Sequence, residues 1–190
     1  MILNLGAGKK LRTDAFNIDM VEYPGIDDVV DLREYPWPWK DWEVEGIYVS
    51  HVLEHFPDQE KFLMECHRIL RPGGFLRIAG PHSSCVSSIG HLGHYRTYCY
   101  NAFDDNLSKP SYMFKKPLFK TIEKRLNWWH EEVDAEGHLP KWTIPVIKAV
   151  DWVLSSFANR VPRLTENIIC PAIQFREVIW QGIKIYEPAL

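Results

Sequence analysis

The sequence predicts an α/β fold built on one doubly wound, mostly parallel sheet. Three observations predict it. The 190 residues, 46% hydrophobic and 25% charged, suit a single globular domain with a sizeable core. Short apolar runs alternate with turn-forming residues through the first 80 positions. One such run is followed by an amphipathic helix and then by another run, which is the order of a right-handed parallel crossover.

Five apolar runs in the first half predict strands. They cover residues 2–5, 16–20, 28–31, 46–50 and 75–79. Before the last run, residues 58–70 place apolar side chains at three- and four-residue spacings, which predicts an amphipathic helix. These side chains are Phe62, Leu63, Cys66, Ile69 and Leu70. A proline and two glycines within residues 71–74 predict the end of that helix.

Beyond residue 80 the pattern changes. Residues 81–117 are rich in Ser, His, Tyr and Asn and predict long loops, whereas residues 120–129 and 144–157 predict helices. Residues 168–186 predict one or two strands, with Gln181 and Gly182 as a turn. We therefore expect one domain in three parts: a scaffold at 1–80, an aromatic-rich mobile lid at 81–170, and antiparallel strands at 171–190 forming the C-terminal edge.

The helix predicted at residues 144–157 has two interpretations. Its apolar residues could rest on a membrane surface. Because they cover much of the helix circumference, we favour a buried lid helix. Fifteen of the 25 aromatic residues lie between positions 81 and 186, and most of these fifteen lie in the predicted lid.

Composition excludes several classes of protein. No run of 18 apolar residues and no secretory signal pattern is found, so we expect an intracellular, cytoplasmic protein. The four cysteines form no C-x-x-C pair and predict reduced thiols. Basic residues cluster later in the chain, and we interpret them as a solvated face rather than a nucleic-acid site. They are Lys109, Lys115, Lys116, Lys120, Lys124 and Arg125.

A candidate ligand site lies at the ends of the first two strands. Gly6, Ala7 and Gly8 follow the first strand, and Asp19 ends the second. Glycines at such a strand end let a ligand approach the backbone, and an acidic side chain can accept both ribose hydroxyls of a nucleoside. A tight turn explains G-x-G equally well. Leu11 stands where a dinucleotide motif needs its third glycine, which disfavours NAD.

Further motifs follow in order along the chain. Residues 50–55 read S-x-V-L-E-H, and residues 70–74 read L-R-P-G-G. With the glycine loop and Asp19, this ordered set over residues 2–82 resembles the class I S-adenosylmethionine-dependent methyltransferases, which have a Rossmann-like fold. Gly8 and Asp19 are 11 positions apart, closer than in that family, so the first crossover helix is expected to shrink to one turn. The second crossover is also short.

The resemblance implies S-adenosyl-L-methionine as the cofactor and assigns roles to residues. The glycine loop would pass under the methionine part, Asp19 would hold the ribose, and Met20 would pack on the adenine. Asp31 and Leu32 would reach the adenine edge, and Ser50 would lie beside the methionine. The cofactor-binding residues are thus Gly6, Ala7, Gly8, Asp19, Met20, Asp31, Leu32 and Ser50.

His51 and His82 are the candidate catalytic residues. They end the fourth and fifth strands, next to where the resemblance places the transferred methyl group, and a neutral histidine could accept a proton from the acceptor. Each could equally be a hydrogen-bonded loop histidine. Residues 51–55 also match H-x-x-E-H, a zinc-protease pattern, but Pro57 leaves little helix to hold it. We predict no metal site.

The sequence therefore predicts methyl transfer to an oxygen or nitrogen of a small-molecule or glycan-like acceptor. Side chains of a glycine-flanked loop would form part of the acceptor pocket; they are His91, His94, Tyr95 and Arg96. The alternative is a non-catalytic nucleotide-binding or scaffold protein that kept the sheet and lost its crossover helices. The acceptor and the oligomeric state stay open.

Overall fold

The computed structural model describes residues 1–129, 141–170 and 173–185, which form a seven-stranded sheet with helices. The strands are β1 (Ile2–Leu5), β2 (Phe16–Asp19), β3 (Asp28–Val29), β4 (Val44–Ser50), β5 (Leu70–Pro81), β6 (Phe119–Asn127) and β7 (Glu177–Lys184). The helices are α1 (Gln59–Ile69), α2 (Val86–Ile89), α3 (Ala102–Leu107), α4 (Thr143–Arg160) and α5 (Pro162–Leu164). A 3-10 turn at Leu53–His55 precedes α1. The five strands predicted in the first half, and the helices predicted at 58–70 and 144–157, are confirmed.

The strand order is β3-β2-β1-β4-β5-β7-β6. The first five strands pair in parallel, and β7 pairs antiparallel with both β5 and β6. The predicted α/β fold with a mostly parallel sheet is confirmed. The order changes direction between β1 and β4, and open sheets of this kind bind ligands at the carboxyl ends of the strands beside such a point.

Helix α1 packs its apolar side into the core. It begins after Asp58, whose side chain accepts a hydrogen bond from the Lys61 backbone N–H at 3.0 Å. Phe62, Leu63 and Ile69 are buried. The helix ends at Ile69, but residues 71–74 belong to β5 rather than to a separate turn. They form a bulge, since Leu70 pairs with Val44 and the next pair joins Phe75 to Gly46.

The connections from β1 to β2 and from β2 to β3 contain no helix, in keeping with their shortness. Buried asparagines hold the first one instead. The Asn4 amide donates to Asn17 Oδ1 at 3.0 Å, and the Arg12 N–H donates to the same oxygen at 2.8 Å. Asp27 then accepts the backbone N–H of Asn17 at 2.7 Å. Hydrogen bonds from side chain to backbone thus replace the usual crossover helix.

The helix predicted at residues 120–129 is wrong: this segment is strand β6. It pairs with β7 along its whole length, and the pairing register shifts between Thr121 and Glu123. The shift breaks the alternation of inward and outward side chains, so the sequence lacks the period of two that marks a strand. The partner strand lies about 60 positions further on, and local spacing cannot report such a contact.

The turn predicted at Gln181 and Gly182 is also wrong, because β7 runs straight through both residues. Gly182 is needed there for space, since a Cβ would lie 2.5 Å from ring atoms of the buried Trp180. The antiparallel pairing predicted for the C-terminal segment is confirmed. Its place differs, because β7 lies between β5 and β6 and the edge of the sheet is β6.

Helix α4 lies beside edge strand β6 and is not the buried lid helix that we predict from its composition. Only Ser155 and Ala158 are buried, whereas Trp152 is 72% exposed and Phe157 49% exposed. The contacting side is polar: Asn159 bonds to the backbone N–H and C=O of Leu126, each at 2.8 Å. None of the helices that the structure describes is both long and apolar enough to cross a bilayer.

Candidate functional site

The glycine loop leaves β1 in a conformation that favours glycine. Gly6 and Gly8 have φ angles of 65° and 50°, in the left-handed region. At Gly6 a Cβ would lie 2.4 Å from Val52 Cγ2, so the turn after β4 excludes any larger residue. At Gly8 a Cβ would meet no atom within 4 Å, so the outer side of the loop is open. Ala7 is buried between them.

Asp19 connects this loop to the end of β2. Its Oδ2 accepts the Gly8 N–H at 2.8 Å, and its Oδ1 accepts the Val21 N–H at 3.1 Å. A carboxylate offers about four acceptor positions, so these two bonds leave capacity for ligand hydroxyls. Met20 follows with half of its side chain exposed, which supplies apolar surface beside the carboxylate. The structure thus brings the glycine loop, Asp19 and Met20 together.

Asp31 and Leu32 lie after β3 and are already engaged. The Asp31 carboxylate is bound by the Arg33 guanidinium through bonds of 2.8 and 2.6 Å. The hydrogen bonds from Arg33 lower the pKa of Asp31 to about 2. Leu32 is buried, and its carbonyl accepts Trp37 Nε1 at 3.0 Å. A ligand at this edge would therefore meet the Asp31–Arg33 ion pair rather than the Leu32 side chain.

Ser50 and His51 end β4, as predicted. His51 has a φ of 55° and donates its backbone N–H to the Ala79 carbonyl of β5 at 2.9 Å. Its ring lies between two buried carboxylates: Nε2 is 3.0 Å from Glu177 Oε1, and Nδ1 is 3.3 Å from Glu54 Oε1. Burial by itself would lower the pKa of His51, but the two carboxylates outweigh it and raise the pKa to about 9.

The raised pKa favours a protonated His51 ring at neutral pH, whereas a general base needs a neutral ring. The catalytic role of His51 stays a prediction. Glu177, the partner that holds His51, is a site residue that the sequence reasoning missed. It begins β7 and also accepts the Asn127 amide at 2.9 Å. The signal for Glu177 in the sequence would be an acidic residue at the start of an apolar strand. The sequence does not show which strands pair with that strand, so it does not show that Glu177 meets His51.

His82 follows β5 and is almost fully enclosed, with 2% of its surface exposed. Its Nδ1 accepts the Ser84 N–H at 3.1 Å, and its Nε2 lies 3.3 Å from Glu166 Oε1. Burial lowers the pKa of His82 despite Glu166. The ring is thus neutral but buried, and both its nitrogens are used within the protein.

A groove runs from the glycine loop across the sheet surface beside Ser50. Its lining includes Asn4, Lys10, Arg12, Tyr48 and Arg77. The Arg12 guanidinium lies 3.8 Å from the centre of the Tyr48 ring. No sequence motif marks these cations, because Lys10 and Arg12 lie in the shortened first crossover and Arg77 lies in the middle of β5. Arg12 is paired with Asp14 at 3.0 Å and Arg77 with Glu123 at 2.8 Å, so Lys10 is the cation of this lining that best suits an anionic group of a ligand.

The segment between β5 and α3, residues 82–101, covers the ends of β4 and β5 and is called the covering segment below. Backbone hydrogen bonds attach Tyr98 to the end of β5. The Tyr98 N–H donates to the Pro81 carbonyl, and the Ser83 N–H donates to the Tyr98 carbonyl. Tyr95 N–H donates to the Glu54 carbonyl at 2.8 Å. Tyr95 and Arg96 are exposed. Of the predicted acceptor-pocket residues, Tyr95 therefore lies against the 3-10 turn after β4.

Comparison with known proteins finds similarity to methyltransferases in part of the chain. A methyltransferase-domain family model matches residues 9–78. A curated Mycolicibacterium smegmatis protein, described as a probable S-adenosylmethionine-dependent methyltransferase, is 39% identical over 61 residues, which are 32% of this chain and 23% of that protein. The chain thus spans less than a quarter of that relative's length.

Solved structures share the fold. An S-adenosylmethionine-dependent methyltransferase from Archaeoglobus fulgidus aligns with a TM-score of 0.59 at 16% identity, covering 96% of this chain and 85% of that one. A Haemonchus contortus phosphoethanolamine N-methyltransferase, solved with S-adenosylhomocysteine, gives 0.55 at 14% identity, covering 97% of this chain and 48% of that one. At such identities the likeness concerns the fold.

Proposed function

We propose that this chain, which belongs to the class I S-adenosylmethionine-dependent methyltransferase superfamily, binds S-adenosyl-L-methionine and transfers its methyl group to an oxygen or nitrogen of a small-molecule or glycan-like acceptor. One observation carries the proposal. The open glycine loop is hydrogen-bonded to Asp19 beside the point where the strand order changes direction, which is where sheets of this type bind nucleotides.

The cofactor would be held by residues at the ends of four strands, β1 to β4. Gly6, Ala7 and Gly8 would pass under the methionine part, and Asp19 would accept the ribose hydroxyls with its remaining lone pairs. The half-exposed Met20 would pack on the adenine. Asp31, with Arg33, and the backbone of Leu32 would meet the adenine edge, and Ser50 would lie beside the methionine. Lys10, in the lining of the groove, suits the cofactor carboxylate and would offset the missing helix N-terminus.

The sulfonium of the cofactor supplies a strong leaving group, so the protein's own task is alignment and exclusion of water. We propose that His51 is a positioning residue in this task. Both its ring nitrogens face carboxylates, which fixes the ring between β4 and β7. His82, enclosed behind Ser84 and Glu166, would hold the start of the covering segment. Both histidine rings thus have partners within the protein, and the proposal assigns neither of them the acceptor's proton.

The covering segment between β5 and α3 would select the acceptor, since it stands over the ends of β4 and β5. The basic residues that follow are partly paired within the protein: Lys109 lies 2.7 Å from Asp105 and 3.1 Å from Asp104. This pairing supports a small-molecule or saccharide acceptor over a nucleic acid. RNA retained at physiological salt would contradict that part of the proposal.

Calorimetric titration with S-adenosylmethionine and S-adenosylhomocysteine tests the donor site. We expect one site per chain and, in Asp19→Ala, a loss of about tenfold or more in affinity, because charge-assisted hydrogen bonds are lost. Glu45→Ala is the matched control: it removes a surface carboxylate at the amino end of β4 and should change nothing. No binding at millimolar ligand, or equal affinity in Asp19→Ala, would overturn the proposal.

A non-catalytic nucleotide-binding protein is the second candidate, and the helix-free crossovers favour it. The two differ in turnover. A methyltransferase should release S-adenosylhomocysteine when offered a panel of hydroxyl and amine acceptors, including saccharides. Tight cofactor binding with no release across that panel favours the second candidate.

A further inference from the structure

Three histidine rings meet outside the cofactor groove, where the 3-10 turn after β4 faces the covering segment. The ring centres of His91 and His94 are 4.3 Å apart, and that of His55 is 4.8 Å from His94 and 5.9 Å from His91. The proposed cofactor site uses none of these contacts.

Glu54 supplies an acidic group to the same place. Its side chain is 0% exposed, and neither carboxylate oxygen accepts a hydrogen bond within residues 1–129, 141–170 and 173–185. The His51 ring nevertheless partners Oε1, because its Nδ1 lies 3.3 Å away, so Oε2 is the oxygen left without a partner among these residues. A buried carboxylate normally fills its acceptor positions with hydrogen bonds or with a cation. One oxygen of Glu54 and one ring nitrogen each of His55 and His94 lie within 4.8 Å of one another.

The Nδ1 atoms of these two histidines make contacts that are typical of metal-binding histidines. His55 Nδ1 is 2.9 Å from the Gly93 carbonyl, and His94 Nδ1 is 3.0 Å from the Ser88 carbonyl. A carbonyl only accepts, so each Nδ1 carries the proton and each Nε2 keeps the lone pair. Metal-binding histidines commonly donate their second nitrogen to a carbonyl in this way. His91 differs, because its Nδ1 accepts the Gly93 N–H at 3.1 Å.

We propose that Glu54, His55 and His94 bind one divalent transition-metal ion of the zinc type, independently of methyl transfer. Two imidazoles and one carboxylate form a ligand set that zinc uses with a fourth, open position. Oxygen-seeking ions such as magnesium and calcium would not favour two imidazoles. The ion would tie the covering segment to the turn after β4, where Tyr95 already bonds to the Glu54 carbonyl.

The proposed set is not the H-x-x-E-H pattern of the sequence. His51, the first histidine of that pattern, turns toward Glu177, and the second histidine ligand comes from position 94 instead. Our sequence-based prediction of no metal site rested on the short helix at residues 51–55. That reason does not apply to ligands contributed by two separate segments.

The full chain, purified through a tag without histidine and freed of metal by a chelator, is titrated with Zn²⁺ against a chromophoric chelator. Elemental analysis of protein purified without added zinc and Co²⁺ absorption spectra accompany it. We expect one Zn²⁺ per chain and a Co²⁺ spectrum of low coordination number. His94→Ala and His55→Ala should each weaken Zn²⁺ binding by about a hundredfold or more, since loss of outer-sphere partners alone costs about 10–100-fold.

His91→Ala is the matched control, because it removes a ring of the same cluster that is not in the ligand set. It should keep Zn²⁺ affinity within a few fold. Glu54→Gln should also weaken binding, and unfolding curves show whether it folds. No Zn²⁺ binding by the wild type, or equal losses in His91→Ala and His94→Ala, would overturn the proposal. Cofactor titration is a separate readout, so failure here leaves the proposed methyl transfer to its own test.

Discussion

Helices α1 and α4 are both amphipathic, yet they pack by opposite faces. Helix α1 buries Phe62, Leu63 and Ile69 against the sheet. Helix α4 turns Asp151, Ser155 and Asn159 toward the end of β6 and the two residues after it. It buries Ala158 but leaves large apolar residues such as Trp152 and Phe157 exposed. The backbone groups of the inner strands are paired within the sheet, so α1 needs to provide only apolar surface. The edge strand β6 has outward backbone groups that need polar partners, and the stripe on α4 provides them.

The largest expected effect comes from the buried face of α1. Phe62 is fully buried, with ring centres 4.7 Å from Phe56 and 5.0 Å from Trp37. Phe62→Ala should lower the free energy of unfolding by about 3–5 kcal/mol through lost burial and a cavity. Denaturant unfolding followed by circular dichroism measures it. A loss under about 1 kcal/mol would mean that α1 is not a core helix.

The contact between α1 and the antiparallel strands should be sensitive to acid. His67 of α1 packs against Phe119 of β6, and burial, with Lys184 nearby, lowers the pKa of His67 to about 4. Below about pH 6.5 the unfolded chain binds a proton at His67 that the folded chain refuses until about pH 4, so stability falls as pH falls through this window. We expect this one group to cost about 2 kcal/mol between pH 7 and 4.

His67→Leu removes that proton uptake, so its unfolding free energy should depend less on pH across the same window. Urea unfolding at several pH values gives the two slopes. Parallel slopes for wild type and His67→Leu would show that other groups carry the acid sensitivity.

The polar stripe of α4 gives a smaller effect. Asn159→Ala removes two hydrogen bonds to the Leu126 backbone and should cost about 1–2 kcal/mol. Hydrogen exchange at the Leu126 amide should speed up at the same time, while β4 amides stay protected. Ser156→Ala, at a partly exposed position of the same helix, serves as the control. Unchanged exchange at Leu126 would argue against the edge-capping role of α4.

The outer face of α4 should give the smallest effect. Trp152 is 72% exposed, so Trp152→Ala should change the free energy of unfolding by no more than about 0.5 kcal/mol. Thermal unfolding of Trp152→Ala and Phe62→Ala, measured side by side, compares the losses in stability from the two helices directly. A loss comparable to that of Phe62→Ala would mean that this face is covered in solution.

The parallel half of the molecule was largely predictable. Its strands are short apolar runs, and α1 has a regular three- and four-residue period with Asp58 as its cap. The glycine loop and Asp19 could be placed at one edge because successive parallel strands end on the same side of a sheet. Each of these features depends on contacts between segments close in sequence or on a motif read in order.

The antiparallel half was predicted less well. Strand β6 was predicted as a helix because a bulge masks its alternation and its partner is remote. The composition of α4 indicated a buried helix, because composition does not say whether the neighbouring surface is a paired strand or an open edge. Glu177 was missed for the same reason, since only pairing of β7 with β5 brings it to His51.

By itself, the sequence predicted the fold class, a position for the candidate donor site and the shortening of two crossovers, of which the first was expected to keep one helical turn and has none. These follow from local periodicity, from glycine conformation and from chain length between motifs. Only the tertiary structure decided the surroundings that shift the pKa of His51 up and of His82 down, the orientation of α4 and the meeting of Glu54 with His55 and His94. Charge state and ligand geometry depend on which distant groups surround a side chain, and that environment exists only once the chain is folded.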